Sequence, residues 1–281
     1  MASLFEYAVP AKPIWCSFCG NYPTLSSFLQ ALANLEVSPA RLALISGIGC
    51  AGRFPAFVKC YGLHAVHGRA LPIATGLKTA RPELTVVALG GDGDGLGIGG
   101  GHFLNAGRRN PDLTYLFFDN SIYGMTKGQP SPTTPQGTVA RSTPHGNPDA
   151  PLNPVQLAIL AGYTFVGRGY AGSSEALTAL LSAAISHRGL SFVQIISPCV
   201  THNRHQTYDF YRDRVRPLEE SYRPDDLRVA IARAGSAAPL ELGVFFRAEA
   251  PTFEDRLAAD TGGDRPAQQQ PDWRALLRAY R

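Results

Sequence analysis

The sequence predicts an α/β fold: a doubly wound, mostly parallel sheet with an irregular C-terminal extension. Two observations carry that prediction. Short apolar runs at 41–46, 86–89, 113–118, 163–166 and 190–196 alternate with segments of helical period, the order that βαβ units produce. Several of these runs end in turns rich in Gly, Asp or Asn, and α/β sheets bind ligands beyond the carboxyl ends of their strands.

Taken in order, residues 1–23 hold Pro10, Pro13 and Pro23 and no helical period, so the chain begins as an irregular arm. Residues 24–35 place Leu25, Phe28, Leu29, Leu32 and Leu35 on one face of an amphipathic helix. Strand 41–46 breaks at Gly47-Ile48-Gly49-Cys50; residues 61–67 follow, then Gly68-Arg69 and a helix over 70–81. Pro82-Glu83 turns into the central strand. Past its glycine loop, a helix from about 102 to 109 points its N-terminus back at that loop, an end favourable to anions. The stretch 129–154 is rich in Pro, Thr, Ser and Gly, and a loop of that length is usually functional or mobile. Helix 157–161, strand 163–166, helix 173–187 and strand 190–196 complete a first domain, residues 1–205. Across 206–281 the pattern weakens to a helix bearing Tyr208 and Tyr211, a hairpin over 239–250, and a polar arm after 260 suited to a partner subunit.

Composition narrows the class. A 281-residue chain with 44% hydrophobic residues can bury a substantial core. It has no apolar run long enough for a membrane span and no signal peptide, so it is expected in the cytoplasm. The net charge of +4 comes from scattered Lys and Arg, which argues against nucleic-acid binding and suits anionic cofactors or an acidic electron carrier. Five cysteines in such a chain do not read as disulfides.

The chemistry centres on Gly90-Gly91-Asp92-Gly93-Asp94-Gly95, answered by Asp119-Asn120 at the end of the next strand. Glycines let a backbone approach a phosphate and donate N–H groups to it. An Asp carboxylate, an Asn carbonyl and a backbone carbonyl are hard ligands suited to Mg²⁺ on a diphosphate. Cysteines form a second constellation. Cys16 and Cys19 share a tight loop, whereas Cys50 and Cys199 follow strand ends. Four thiolates suit a [4Fe–4S] cluster or a structural Zn²⁺; two ligands that are single and distant favour the cluster. Cys60 reads as a plain buried thiol.

Gly91-Asp92-Gly93 and the distant Asp119-Asn120 resemble the thiamine-diphosphate signature, with Asp119 standing where that signature has its first Asn. Further stretches extend the likeness: the Trp15-Cys16 to Cys19-Gly20 arm, Gly47-Ile48-Gly49-Cys50, His67-Gly68-Arg69-Ala70, Tyr123-Gly124-Met125-Thr126-Lys127-Gly128-Gln129 and Ser197-Pro198-Cys199. Together they resemble the β subunits of the 2-oxoacid:ferredoxin oxidoreductases over about residues 10–255. The first Cys pair encloses Ser17-Phe18 where relatives often carry Pro-Gly, which leaves the ligands intact.

The resemblance implies a thiamine-diphosphate-binding fold with Mg²⁺ held by Asp92, Asn120 and the main-chain oxygen of Ile122. It implies one [4Fe–4S] cluster on Cys16, Cys19, Cys50 and Cys199. Cofactor contacts are expected from Ile48, Gly49, Cys50, His67, Gly91, Asp92, Gly93, Asp94, Asn120, Ile122, Gly124, Met125 and Thr126. Arg53 and Lys127 are expected near the substrate, where a cation favours 2-oxoglutarate over pyruvate. His67 is placed with them, binding an oxyanion or the diphosphate, and Asp94 is taken to brace the loop. The implied reaction is coenzyme A-dependent oxidative decarboxylation of a 2-oxoacid, giving succinyl-CoA from 2-oxoglutarate, with electrons passing through the cluster to ferredoxin. Only 90 residues precede Gly91, too few for a second cofactor domain. An α subunit is therefore expected to supply the pyrimidine-activating Glu, in an (αβ)₂ assembly. Action on pyruvate or a broad range of 2-oxoacids, a non-redox thiamine decarboxylase or synthase, and a cluster-bearing scaffold are the alternatives.

Overall fold

The computed structural model describes residues 4–236, 238–260 and 278. Eight strands form one sheet in the order β2-β1-β3-β4-β6-β5-β8-β7. The strands are β1 (Leu42–Ser46), β2 (Tyr61–His64), β3 (Thr85–Gly91), β4 (Thr114–Asp119), β5 (Phe165–Tyr170), β6 (Ser191–Ile196), β7 (Val215–Pro217) and β8 (Leu240–Arg247). The first six run parallel; β8 lies antiparallel to β5 and carries β7 parallel to itself.

Both faces are buried, and the period of two explains how. Leu42, Leu44, Val87, Leu89, Leu116, Phe118, Val193 and Ile195 pack on one face with α1 (Asn21–Asn34) and α5 (Ser174–Ser186). Their neighbours Ala43, Ile45, Val86, Ala88, Tyr115, Phe117 and Phe192 face α2 (Ala70–Ala80), α3 (Gly100–Arg109), α4 (Pro154–Ala161) and α7 (Leu227–Ala234). On that side Phe103 of α3 is fully buried among Tyr115, Tyr163 and Phe192. Phe103→Ala is expected to destabilise the fold by about 3–5 kcal/mol in denaturant titration, through lost apolar contact and the cavity left behind.

From β1 the chain first builds outward to β2, then returns to place β3 on the other side of β1. The strand order reverses there, and a crevice opens beyond the ends of β1 and β3.

Three expectations change. The helix expected from about 102 begins at Gly100, because the glycine loop first winds through one π-helical turn, Gly93–Ile98, kinked at Gly97. No hairpin spans 239–250; that stretch holds the single strand β8, which pairs with β5 and β7 instead of with itself. The C-terminal extension is also more regular than its sequence pattern, with α6 (Tyr208–Arg212), α7 and α8 (Phe253–Asp260) around β7 and β8. The arm expected after 260 lies outside the described residues, Arg278 excepted.

Candidate active site

The thirteen residues expected at the cofactor line one cleft of about 460 Å³ at the reversal point. Ile48, Gly49 and Cys50 leave β1; Gly91 to Asp94 leave β3; Asn120 to Thr126 leave β4. A side chain at Gly93 would collide with the Tyr123 ring, whose hydroxyl donates to the Gly93 carbonyl at 3.0 Å.

Asp92 is buried, and one of its oxygens, Oδ2, accepts from Ser131 Oγ at 2.5 Å and Thr133 Oγ1 at 3.0 Å. Burial first, and the neighbouring Asp119 carboxylate second, hold Asp92 well above the ordinary carboxylate range. A divalent cation is the natural compensation for such a group. The β4 turn offers it further oxygens. Asn203 Nδ2 donates to the Asn120 carbonyl, Thr134 Oγ1 to that of Ser121, Gly128 N–H to that of Tyr123, and Lys127 N–H to that of Gly124. Between them, the Ile122 carbonyl has no donor among the described residues. Asn120 Oδ1 accepts only the Ile122 N–H, at 3.1 Å, and retains a lone pair. Asp92, Asn120 and the Ile122 carbonyl thus form the oxygen set that suits Mg²⁺.

Asp119 is buried behind this set and fully bonded. Its Oδ1 lies 2.8 Å from the same Thr133 Oγ1, whose single proton the two carboxylates share, and accepts from Ser121 N–H at 3.1 Å; its Oδ2 accepts from Gln194 Nε2 at 2.7 Å. Gln194 in turn accepts from Arg168 Nε at 2.7 Å. Arg168 is buried against the Phe245 ring, and burial pushes its guanidinium down to about 10 while Asp119 and Glu241 oppose that shift. This buried cation gives a physical account of an Asp where the thiamine signature carries Asn.

The cysteines lie around the same sheet edge: Cys50 lines the cleft, Cys199 Sγ lies beside Gly124 of the β4 turn, and Cys16, Cys50 and Cys199 all act on Cys19. Trp15 Nε1 donates to the Cys50 carbonyl at 2.8 Å, fastening the N-terminal arm to the β1 turn. The Gly20 N–H donates to the Pro198 carbonyl at 3.3 Å, fastening it to the β6 turn. Trp15 itself packs against Tyr22, Phe54 and Phe57. Burial pushes the Cys19 thiol up to about 12, its backbone bond to Asn21 opposes this, and Cys50, Cys199 and Cys16 raise it further. Cys50 is likewise raised by burial and by Cys199 and Cys16, whereas Arg53 lowers it. Cys19 and Cys50 are thus held as neutral thiols, and a bound metal group is what would stabilise them as thiolates. Cys60 stands apart, packed at the edge of the core under Leu44 and raised to about 11 by burial.

Comparison with known proteins agrees with this geometry. Residues 47–195 match the family described as thiamine pyrophosphate enzyme, C-terminal TPP binding domain. Residues 199–260 match the C-terminal family of the pyruvate ferredoxin oxidoreductase beta subunit. The chain is 42% identical to the 2-oxoacid:ferredoxin oxidoreductase subunit beta of Saccharolobus solfataricus, over 87% of this chain and 85% of that one. It is 40% identical to the 2-oxoglutarate synthase subunit KorB of Archaeoglobus fulgidus, over 83% and 84%. This chain belongs to the β subunits of the 2-oxoacid:ferredoxin oxidoreductases. This β subunit also superposes, with TM-score 0.92 and 38% identity, on a solved 2-oxoglutarate:ferredoxin oxidoreductase from Magnetococcus marinus with 2-oxoglutarate, coenzyme A and succinyl-CoA bound. That match covers 100% of this chain and 96% of the other.

Two residues expected near the substrate do not line the cleft of this β subunit. Arg53 projects to solvent from the turn after Cys50 and acts on that thiol. Lys127 sits at φ 76° and lines a separate hollow of about 160 Å³ with Arg141 and His202. The tight β4 turn sets that direction. Sequence reasoning does not place Ser131, Thr133, Asn203, Gln194 or Arg168 at the site; only the unusual length of the 129–154 loop hints at the first two. Among the described residues, no helix is long and apolar enough to cross a membrane.

Proposed function

We propose that this β subunit, paired with an α subunit that supplies the pyrimidine-activating Glu, catalyses coenzyme A-dependent oxidative decarboxylation of 2-oxoglutarate, passing electrons to ferredoxin. The observation that carries the reading is the convergence, on one sheet edge, of a carboxylate–amide–carbonyl oxygen set and a group of cysteines in which Cys19 lies within electrostatic reach of Cys16, Cys50 and Cys199. Thiamine diphosphate supplies the electron sink for decarboxylation.

The protein's part is to bind, orient and exclude water. Asp92, Asn120 and the Ile122 carbonyl hold Mg²⁺ and through it the diphosphate. Gly93 leaves room for the Tyr123 ring, which lines the cleft with it. Cys16, Cys19, Cys50 and Cys199 would hold one [4Fe–4S] cluster, which would supply the one-electron acceptor; Cys50, which lines the cleft, is the thiol shared by the two sites. The names of the 2-oxoglutarate relatives support that substrate, including a KorB subunit of Mycobacterium tuberculosis at 48% identity over 67% of this chain. With Arg53 and Lys127 outside the cleft lining, the cation that meets the distal carboxylate is assigned to the α subunit. An (αβ)₂ assembly in the cytoplasm completes the reading.

The test is the αβ complex, purified without oxygen and assayed with 2-oxoglutarate, pyruvate and branched 2-oxoacids against ferredoxin. The expected result is about four irons per β subunit, an EPR signal on reduction, and fastest turnover on 2-oxoglutarate. A colourless complex carrying stoichiometric zinc, or full turnover without an electron acceptor, overturns it.

A further inference from the structure

Asp94 does more than brace its loop. Its Oδ1 accepts three N–H groups from two separate turns: Ile48 N at 3.0 Å, Gly68 N at 2.9 Å and His67 Nδ1 at 2.9 Å. The other oxygen, Oδ2, is buried without a hydrogen-bond partner, facing Gly47, where any side chain would collide with it, and Gly90. The carboxylate is therefore locked in one orientation. An oxygen already receiving two main-chain N–H groups is an acceptor, so the proton shared with His67 belongs to Nδ1. A neutral imidazole carries one N–H, and its other nitrogen is then a bare lone pair. His67 lines the cleft, half-buried, with its ring edge-on to Tyr123 at 6.4 Å. Nε2 has no hydrogen-bond partner among the described residues.

We infer that His67 acts as the general base that takes the thiol proton of coenzyme A, with Asp94 as its positioning residue. The inference rests on the proposed function above. It also replaces the expectation that His67 binds an oxyanion or the diphosphate, since either role needs a proton on Nε2. Thioester formation must release a thiol proton, and a thiol of ordinary pKa, about 8.5, is mostly protonated at neutral pH. His67 is the one imidazole among the described residues lining the cleft. In the step, the S–H proton moves to Nε2 and the sulfur pair forms the C–S bond to the oxidised acyl carbon. The bond from that carbon to its carrier breaks, its electron pair remaining on the carrier. The imidazolium keeps its Nδ1–H on Asp94 and returns the Nε2 proton to solvent.

The test uses the αβ complex in two readouts. In histidine-¹⁵N-labelled protein free of cofactor and substrate, His67 is expected as the Nδ1–H tautomer, and Asp94→Asn is expected to mix the tautomers. In rapid mixing, His67→Ala is expected to slow coenzyme A-dependent thioester release by about 100-fold, an ordinary general-base contribution. The coenzyme A-independent release of CO₂ should fall far less, and added imidazole should restore part of the lost thioester rate. A resting His67 protonated on Nε2, or thioester release at the wild-type rate in His67→Ala, overturns the base assignment alone. Absence of CO₂ release by the wild-type complex would overturn the proposed function, and the base assignment with it.

Discussion

Replacing Asp92 with alanine is expected to leave the β subunit folded and to remove Mg²⁺-dependent binding of thiamine diphosphate by the αβ complex. The carboxylate is buried, shares its surroundings with Asp119, and is held above the ordinary carboxylate range for both reasons. Removing it relieves a desolvated charge, so unfolding should change little; the two hydroxyls that point at it, Ser131 and Thr133, still bond Thr134 and Asp119. The site, however, loses its one anionic ligand. Outer partners of metal ligands typically cost 10–100-fold in affinity, so loss of the ligand itself should exceed about 100-fold in calorimetric titration. Wild-type affinity in Asp92→Ala would remove Asp92 from the metal site.

The same group sets a pH dependence. Its folded-state pKa lies above its unfolded value. It therefore favours the metal-free fold at low pH, and that contribution is lost as pH rises from the ordinary carboxylate range through the raised value. Mg²⁺ pairs with the charged form and competes with the proton. The increase in melting temperature on adding Mg²⁺ should thus be larger at pH 8 than at pH 6. An equal increase at both would mean that Asp92 is not the titrating ligand.

Cys199→Ser is the second substitution with a large expected effect: loss of the cluster and complete loss of ferredoxin reduction. The β6 turn that carries Cys199 is tied to the cysteine arm through Gly20 and Pro198, and Ser197 Oγ donates to Asn21 Oδ1 at 3.1 Å. A serine keeps those ties and removes only the sulfur. Iron content and the EPR signal should disappear while the melting temperature stays within a few degrees. Cys60→Ser is the matched control. Cys60 lies outside the group of four, and its variant should retain iron and turnover. Iron retained in Cys199→Ser, or lost in Cys60→Ser, would mean the cluster ligands are misassigned.

Much of this site is legible in the sequence. Glycine loops ending apolar runs mark the sheet edge, because a chain that must turn sharply beside a phosphate can use few other residues. The placing of Asp92, Asn120 and Cys50 on one cleft follows from that. Arg53 and Lys127, expected near the substrate, lie outside the cleft lining, and adjacency along the chain says nothing of which way a turn aims its side chain. Lys127 has positive φ and points into a different hollow. His67 is assignable to the cleft without its tautomer, which depends on Asp94, and so on a contact across 27 positions of chain.

Up to about residue 196 the sequence alone determined most of the strands and helices and their apolar faces, because periods of two and 3.6 are local properties that solvent exclusion reads directly; it did not determine the π-helical turn or the strands and helices after residue 206. Only the tertiary structure decided that the order of strands reverses between β1 and β3, that loop 129–154 returns its hydroxyls to Asp92, and that Arg168 sits beneath Asp119. Those pairings join residues far apart in the chain. They are selected by the packing of whole layers and by the need to satisfy buried polar groups, which no local pattern encodes.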